Sequence, residues 1–433
     1  MTAGSAALIL FGVCTGLLVL RVPVAVALGL ACVPIFVLDP DLLPVLMLGE
    51  MTKAYNSFIL LAVPFFILAA NMMNSSGITQ RLVDFSRSMV GHFRGGLGHI
   101  NILVSMLFAG ISGSSTADAA GIGSLLIPAM KKQGYDSSFT VAITACSSVM
   151  GVIVPPSILM IVWGGIMSVS IGGLFLAGFI PGILVGLSQM VAVWGFAHAR
   201  GYPVYTRASL ADFVHSLGRA VFALLAPAII IGGVVFGFVT PTEASVIAVL
   251  YTGVIGLALY RSVRLGEIPR VLYETGRLAS ISLFCIGTAS AFGWLLAFYQ
   301  IPKAVGQVLS TWTTSVTATG LVVATALLFI GCFIDAIPAM IILGTILQPL
   351  ADTSGMHPIH FAMIGIVALA FGLVTPPYGL CLLIACSIGE IGVKQALKDV
   401  AIVLLPMLAI LLLIILFPDL VLFLPRLIMP QYV

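Results

Sequence analysis

Charge is what this 433-residue sequence has least of. Asp, Glu, Lys and Arg make up 8% of it, against about 25% in soluble proteins, while 61% is hydrophobic. No hydrophilic stretch is long enough to form a soluble domain, and apolar segments of roughly 20 residues, the length that spans a bilayer, recur from end to end. These features exclude a soluble enzyme, and a net charge of only +3 gives no footing for nucleic acid. Cysteine chemistry is missing too. Cys14, Cys32, Cys146, Cys285, Cys332, Cys381 and Cys386 all lie in apolar runs with no CxxC, and read as small buried hydrophobes. The six histidines lack ligand spacing, so no zinc-type cluster is expected. The first apolar segment, 6–20, has neither a basic n-region nor an A-x-A site and reads as a retained helix.

What the chain does have is a pattern used twice. The stretches 108–164 and 329–385 align without a gap, 221 residues apart. Phe108 meets Phe329, Gly110 meets Gly331, Gly123 meets Gly344 and Pro128 meets Pro349. Gly134 meets Gly355, Gly151 meets Gly372, and Pro155-Pro156 meets Pro376-Pro377. Repeated Gly and Pro mark backbone geometry rather than surface chemistry. Paired helix breakers in the two halves of an apolar chain are a sequence pointer to a transporter's binding site.

The basic residues supply a topology. Fifteen of the 18 cluster at Arg21, at Arg81, Arg87 and Arg94, at Lys131-Lys132, at Arg200, Arg207 and Arg219, at Arg261, Arg264, Arg270 and Arg277, and at Lys394 and Lys398. Setting these clusters on the cytoplasmic side gives an external N-terminus and helices at 3–20, 22–38 and 58–75. Segment 97–131 then starts and ends inside, which makes it a re-entrant hairpin with its tip at 112–118. A helix at 138–170 follows, broken at Gly151–Pro156, then helices at 174–197, 220–239, 243–260 and 278–298. Segment 315–351 is a second hairpin, entering from outside, with its tip near 331–338. A broken helix at 359–391 and a last helix at 400–424 complete the path and leave the C-terminus outside. The expectation is an all-α integral membrane protein of ten crossings, two of them broken, and two hairpins, arranged as inverted repeats 1–214 and 215–433. The basic spans 200–219 and 261–277 are either amphipathic surface helices or plain loops.

Each Pro-Pro break removes backbone hydrogen bonds. The carbonyls of Gly151, Val154, Gly372 and Thr375 then need partners, and a hard cation is a suitable one. The first tip concentrates hydroxyls: Ser112, Ser114, Ser115 and Thr116. Asp118 and Asp335, carboxylates at membrane depth, read as helix caps that also add to the site's field. Glu243 reads as a cap within Thr240-Pro-Thr-Glu243. No Lys or Arg falls in a membrane core, so an anion would be held by the N-termini of half-helices beginning after Asp118, Pro156, Asp335 and Pro377. Ser114, Thr116, Asp118, Pro156, Ser157, Asp335 and Pro377 are the candidate substrate contacts. The reading is cation-coupled transport of a small anion.

At these residues the chain resembles the large membrane subunit of tripartite ATP-independent periplasmic (TRAP) transporters, through 63–68 (VPFFIL), 112–118 (SGSSTAD), 154–157 (VPPS) and 240–244 (TPTEA). The resemblance covers nearly the whole chain. It implies an elevator-type, Na⁺-driven importer of the bacterial inner membrane. It also implies a small membrane subunit, separate from this chain, and a periplasmic substrate-binding protein. The substrates it implies are organic acids such as C4-dicarboxylates and sialic acids. One Na⁺ would sit at Ser112, Ser115, Gly151, Val154 and Pro156, and a second at Gly331, Gly372, Thr375 and Tyr378. A stand-alone Na⁺/dicarboxylate carrier is the nearest alternative. An intramembrane aspartyl protease using Asp118 and Asp335 is disfavoured, since neither lies in a GxGD pattern, and two closed hairpins argue against a passive channel.

Overall fold

The computed structural model describes residues 1–310 and 315–432. The expected second half, 215–433, includes 311–314 and 433, which lie outside the described residues. Every regular element among the described residues is helical. In chain order these are α1 (Ala3–Val19), α2 (Val24–Leu38), α3 (Val45–Tyr55), α4 (Ala62–Ser75), α5 (Ile78–Val90), α6 (Gly96–Ser112), α7 (Ser115–Lys132), α8 (Ser137–Ser148), α9 (Met150–Ile153), α10 (Ile158–Met167) and α11 (Ile171–Arg200). Then follow α12 (Leu210–Val235), α13 (Pro241–Val254), α14 (Ile268–Phe298), α15 (Ile301–Ser310), α16 (Val316–Gly331), α17 (Ala336–Ala339), α18 (Thr345–Thr353), α19 (Pro358–Gly372), α20 (Leu380–Gly389), α21 (Val393–Leu416) and α22 (Asp419–Ile428).

Seven helices among the described residues are long and apolar enough to cross a membrane. The pair 137–153 and 158–167, bent by 41°, makes an eighth. This is fewer than the ten crossings expected. The difference runs both ways: α1 and α2, at 17 and 15 residues, and 358–372 and 380–389 are shorter than the roughly 20 residues a full span requires, while 336–353, expected as the returning arm of the second hairpin, is one of the seven. The helix expected at 400–424 is two helices, because Pro418 follows the C-cap Phe417 and α22 starts anew. The linker carrying Arg81 and Arg87 is not a loop but helix α5. Its apolar residues Ile78, Leu82 and Phe85 face the core and its charged residues face away. Of the two spans left open, 201–209 is irregular, with α12 starting at Leu210, while α14 begins already at Ile268.

Capping explains many of the boundaries. Thr240 and Glu243 form a reciprocal box at the start of α13, with Pro241 in the first turn, where its missing N–H is not needed. Ser209 and Asp212 do the same for α12. Glu243 is therefore the cap expected of it.

The broken helices form the middle of the molecule. Residues 139–153 and 359–374 are buried without interruption, as suits helices that are apolar all round. They meet where Trp163 of α10 lies over Gly365 of α19. A methyl group on Gly365 would fall within 2.8 Å of the indole ring atoms, and Trp163 also packs edge-on to Phe361 at 5.5 Å.

Candidate functional site

The first hairpin is α6 and α7, and its turn is shorter than the expected 112–118. Only Gly113 and Ser114 are non-helical. Gly113 takes φ +61°, a left-handed conformation that glycine adopts freely. Ser114 caps α7 by accepting from the Ala117 N–H at 3.5 Å. In the second half, Asp335, 221 residues on, caps α17 by accepting from the Ala336 N–H at 2.8 Å. Asp335 is thus the expected cap, but Asp118 is not. Asp118 sits in the first turn of α7, fully buried, and accepts a hydrogen bond from the Ser112 hydroxyl. Ser114 already fills the capping position.

Each hairpin is pressed onto its broken helix. Gly151 lies so close under the first tip that an added Cβ would meet the Ser114 carbonyl carbon and Asp118 Oδ2, both at 2.7 Å. Gly372 lies as close to Gly331, whose carbonyl carbon would be 2.6 Å from such a Cβ. The tips are also hydrogen-bonded across the breaks. Ile158 N–H donates to the Gly113 carbonyl at 3.1 Å, and Tyr378 N–H donates to the Cys332 carbonyl at 2.9 Å. Both Pro155-Pro156 and Pro376-Pro377 are cis.

Around the first contact, two buried polar atoms are left without a partner among the described residues, Ser115 Oγ and Asp118 Oδ2. They stand three residues apart on one face of α7. Beside them Gly151 has Pro155 as its i+4 neighbour, which has no N–H to offer the Gly151 carbonyl. Unpaired acceptors enclosed in protein suit a small cation ligated by oxygen. Ser157 does something else: its hydroxyl donates to the Val152 carbonyl at 2.8 Å, restoring the bond that Pro156 cannot make. Val154 turns its side chain towards Gly182 of α11. In the second contact, the Thr375 hydroxyl donates to the Phe371 carbonyl at 2.7 Å and Thr375 N–H to the Gly372 carbonyl at 3.1 Å. Tyr378 is 45% exposed.

A cavity of about 1140 Å³ opens in front of both tips. Ser112, Ser114, Ser115 and Thr116 line it from the first hairpin and Asp335 from the second. The first residues of four helices converge on it: Ser115–Ala117 of α7, Ile158 of α10, Ala336 of α17 and Leu380 of α20. Asp118, Pro156, Ser157 and Pro377 do not line it; they lie behind the tips and breaks. Sequence reasoning missed the opposite wall, where Asn71 and Asn74 project from α4. Asn71 is held by a 2.9 Å hydrogen bond to Thr275 of α14. Two amides one turn apart at the end of an apolar run were a readable signal. At the rim, Arg270 is 81% exposed and paired with Glu274 at 2.9 Å.

Below the tip a second polar group also went unforeseen. Asn101 donates to Thr144 at 2.7 Å and accepts from Ser147 at 2.9 Å, and Ser105 donates to Ser147 at 2.9 Å, all within the interior. It ties α6 to α8, so the hairpin's first arm and the first broken helix are joined as one body.

Residues 11–420 match the family model "Tripartite ATP-independent periplasmic transporter, DctM component". The chain is 37% identical over 378 residues to the sialic acid TRAP transporter large permease protein SiaM of Vibrio cholerae, covering 87% of this chain and 88% of that protein. It is 37% identical over 367 residues to the C4-dicarboxylate TRAP transporter large permease protein DctM of Pseudomonas aeruginosa, covering 84% and 85%. Among solved structures, the Alcanivorax borkumensis YdaH transporter superposes with a TM-score of 0.59 over 88% of this chain and 90% of that one. At 16% identity this is a likeness of fold. Membrane permeases of this kind are not enzymes, and in this chain Asp118 and Asp335 each hold their own partner rather than one another. The chain belongs to the DctM component family of tripartite ATP-independent periplasmic transporters and is a multi-pass membrane transport protein.

Proposed function

We propose that the chain uses Na⁺ gradients to import a small organic anion across the bacterial inner membrane. The anion would be a carboxylate such as a C4-dicarboxylate or a sialic acid, the substrates named for its relatives. A soluble periplasmic protein delivers it, and a small membrane subunit completes the permease. Halves 1–214 and 215–433 are inverted repeats, both termini are periplasmic, and the hairpin–broken-helix units move together as an elevator.

The observation that carries this reading is the convergence of four helix N-termini and the hydroxyls of one hairpin tip on a single cavity. Their N–H groups and dipoles favour an anion without a buried cation. The acceptors at the hairpin contacts suit the ion that drives it. Na⁺ site 1 is Ser112, Ser115, Gly151, Val154 and Pro156, and the orphaned Asp118 Oδ2 adds charge beside it. Na⁺ site 2 is Gly331, Gly372, Thr375 and Tyr378. Ser114, Thr116 and Asp335 face the substrate.

The test is uptake into proteoliposomes. The chain is purified in mild detergent with whatever co-purifies, and each candidate acid is offered with its binding protein under gradients of Na⁺, Li⁺ or H⁺. Uptake that needs Na⁺ and the binding protein is expected. Full replacement of Na⁺ by Li⁺ or H⁺ overturns the coupling. A chain that emerges alone and transports without a binding protein is a self-sufficient carrier.

A further inference from the structure

Away from the central cavity, α5 and α12 face each other with two polar stripes that do not close. On α5 the stripe is Arg81, Asp84 and Ser88, with Arg87 beside them. On α12 it is Asp212, His215, Ser216 and Arg219, at helical spacings of three and four. Ser88 and Ser216 share a hydrogen bond at 2.9 Å and pin the helices together. Around this pin opens a pocket of about 420 Å³ lined by these residues.

Stripes of mixed charge this close would ordinarily zip up as ion pairs. Here none of Arg81, Arg87 and Arg219 reaches a carboxylate within ion-pair distance among the described residues. The two carboxylates are engaged elsewhere. Asp212 caps its own helix by accepting from Ser209 N–H at 3.1 Å, and Asp84 accepts from Gln80 at 3.4 Å. Arg81 is spent on the Ser76 and Gly77 carbonyls and on the face of Tyr260, 3.5 Å away. Arg87, His215 and Arg219 are therefore the open donors, and all three are exposed. Apolar side chains lie beside them: Phe222, one turn beyond Arg219 on α12, is 38% exposed, and Met89 is 40% exposed.

We propose that this pocket seats the phosphate headgroup of an anionic phospholipid, with Arg87 and Arg219 gripping the phosphate oxygens. Guanidinium forks match phosphate geometry, and basic pockets between helices at a membrane surface hold such headgroups. The acyl chains would run over Phe222, one turn further along α12 from Arg219. Because α5 joins α4 to the first hairpin, a seated lipid would brace the connection between them.

Native mass spectrometry of the purified full chain tests this, with phosphatidylglycerol or phosphatidylcholine added in turn. One phosphatidylglycerol should be retained in preference to phosphatidylcholine. Retention should fall at least tenfold (about 1.4 kcal/mol) in the Arg87→Gln/Arg219→Gln double variant and not in Lys53→Gln, an exposed control elsewhere. Equal melting temperatures of the variants in lipid-free detergent would show that they are folded. Equal retention of both lipids, or undiminished retention by the double variant, would overturn the proposal. Inorganic phosphate binding at Arg87 and Arg219 with no lipid retained would assign the seat to a free anion and overturn the lipid.

Discussion

Ser112 donates its hydroxyl to Asp118 across the tip of the first hairpin, and among the described residues this is the one hydrogen bond that the buried Asp118 carboxylate receives from a side chain. The bond joins the last residue of α6 to the first turn of α7, so it fixes the tip as well as the charge. Ser112→Ala leaves both carboxylate oxygens without a partner. The expected loss is about 1–3 kcal/mol of stability and at least tenfold in Na⁺-dependent uptake, read by thermal unfolding and proteoliposome transport. A bulky residue at Ser112 and Ser115 should abolish uptake while expression persists. Unchanged uptake would remove the first hairpin from the transport site.

Gly151 and Gly372 are needed for what they lack. An alanine methyl at either would overlap backbone atoms of the opposing hairpin, and backbone cannot rotate away. Each substitution should destabilise by about 1–3 kcal/mol through overpacking and should sharply lower transport. Gly218→Ala is the control, since nothing lies within 4 Å of its added methyl. It should be neutral or slightly stabilising, by up to about 1 kcal/mol, because helical glycine gives way to alanine. Equal melting curves for all three variants would show that the hairpin contacts have slack.

The positions of these contacts were legible because Gly and Pro act through the backbone. The breaks at Pro155-Pro156 and Pro376-Pro377, and the glycines that meet the hairpins, follow from residue type alone. Side-chain roles were harder to read. Asp118 and Ser114 both suit a cap, and only the fold decides that Ser114 takes it. Ser157 looks like a free hydroxyl until the Val152 carbonyl is found beside it. Asn71 and Asn74 come from a helix far from the hairpins in sequence, and Arg200 finds Asp399 across 199 residues. Such pairings are tertiary, and no local pattern encodes them. Charge bias fixed element ends only loosely, because α5 carries its arginines on a helix face rather than in a loop.

Sidedness is open to direct chemistry. Lys131 lies in the last turn of α7 and Asp352 near the end of α18, and both are exposed. If the basic clusters face the cytoplasm, a single cysteine at position 131 reacts with impermeant maleimide only in inside-out vesicles. One at 352 reacts only in right-side-out cells. The reverse pattern would turn the whole topology over and, with it, the direction from which each hairpin enters.

Thr375 is the side chain through which the proposed second cation site can be tested. Its hydroxyl donates to the Phe371 carbonyl, so its lone pairs remain available to an ion at the second contact. Thr375→Val keeps the shape and removes the oxygen. The Na⁺ concentration for half-maximal uptake should rise about tenfold, corresponding to one lost ligand at about 1.4 kcal/mol. Thr375→Ser should restore it. A Thr375→Val protein with wild-type Na⁺ dependence would leave the second ion, if there is one, to backbone carbonyls alone.

Among the described residues, Arg200 is paired with two carboxylates. Arg200 bonds Asp399 of α21 and Asp136 at the start of α8, and Ser138 donates to Asp399 at 2.7 Å. Asp399 is only 3% exposed while Arg200 is 28% exposed, so the carboxylate depends on the guanidinium more than the reverse. Removing the cation strands a buried charge. Arg200→Gln should therefore destabilise by about 2–3 kcal/mol, near the lower end for a buried pair because Arg200 keeps some water. Adding Asp399→Asn should recover much of that loss, since the stranded charge goes with it. A double variant no more stable than Arg200→Gln would mean that the cluster acts by holding α8, α11 and α21 in register rather than by balancing charge. Thermal unfolding of the two singles and the double, run as a cycle, decides between the two.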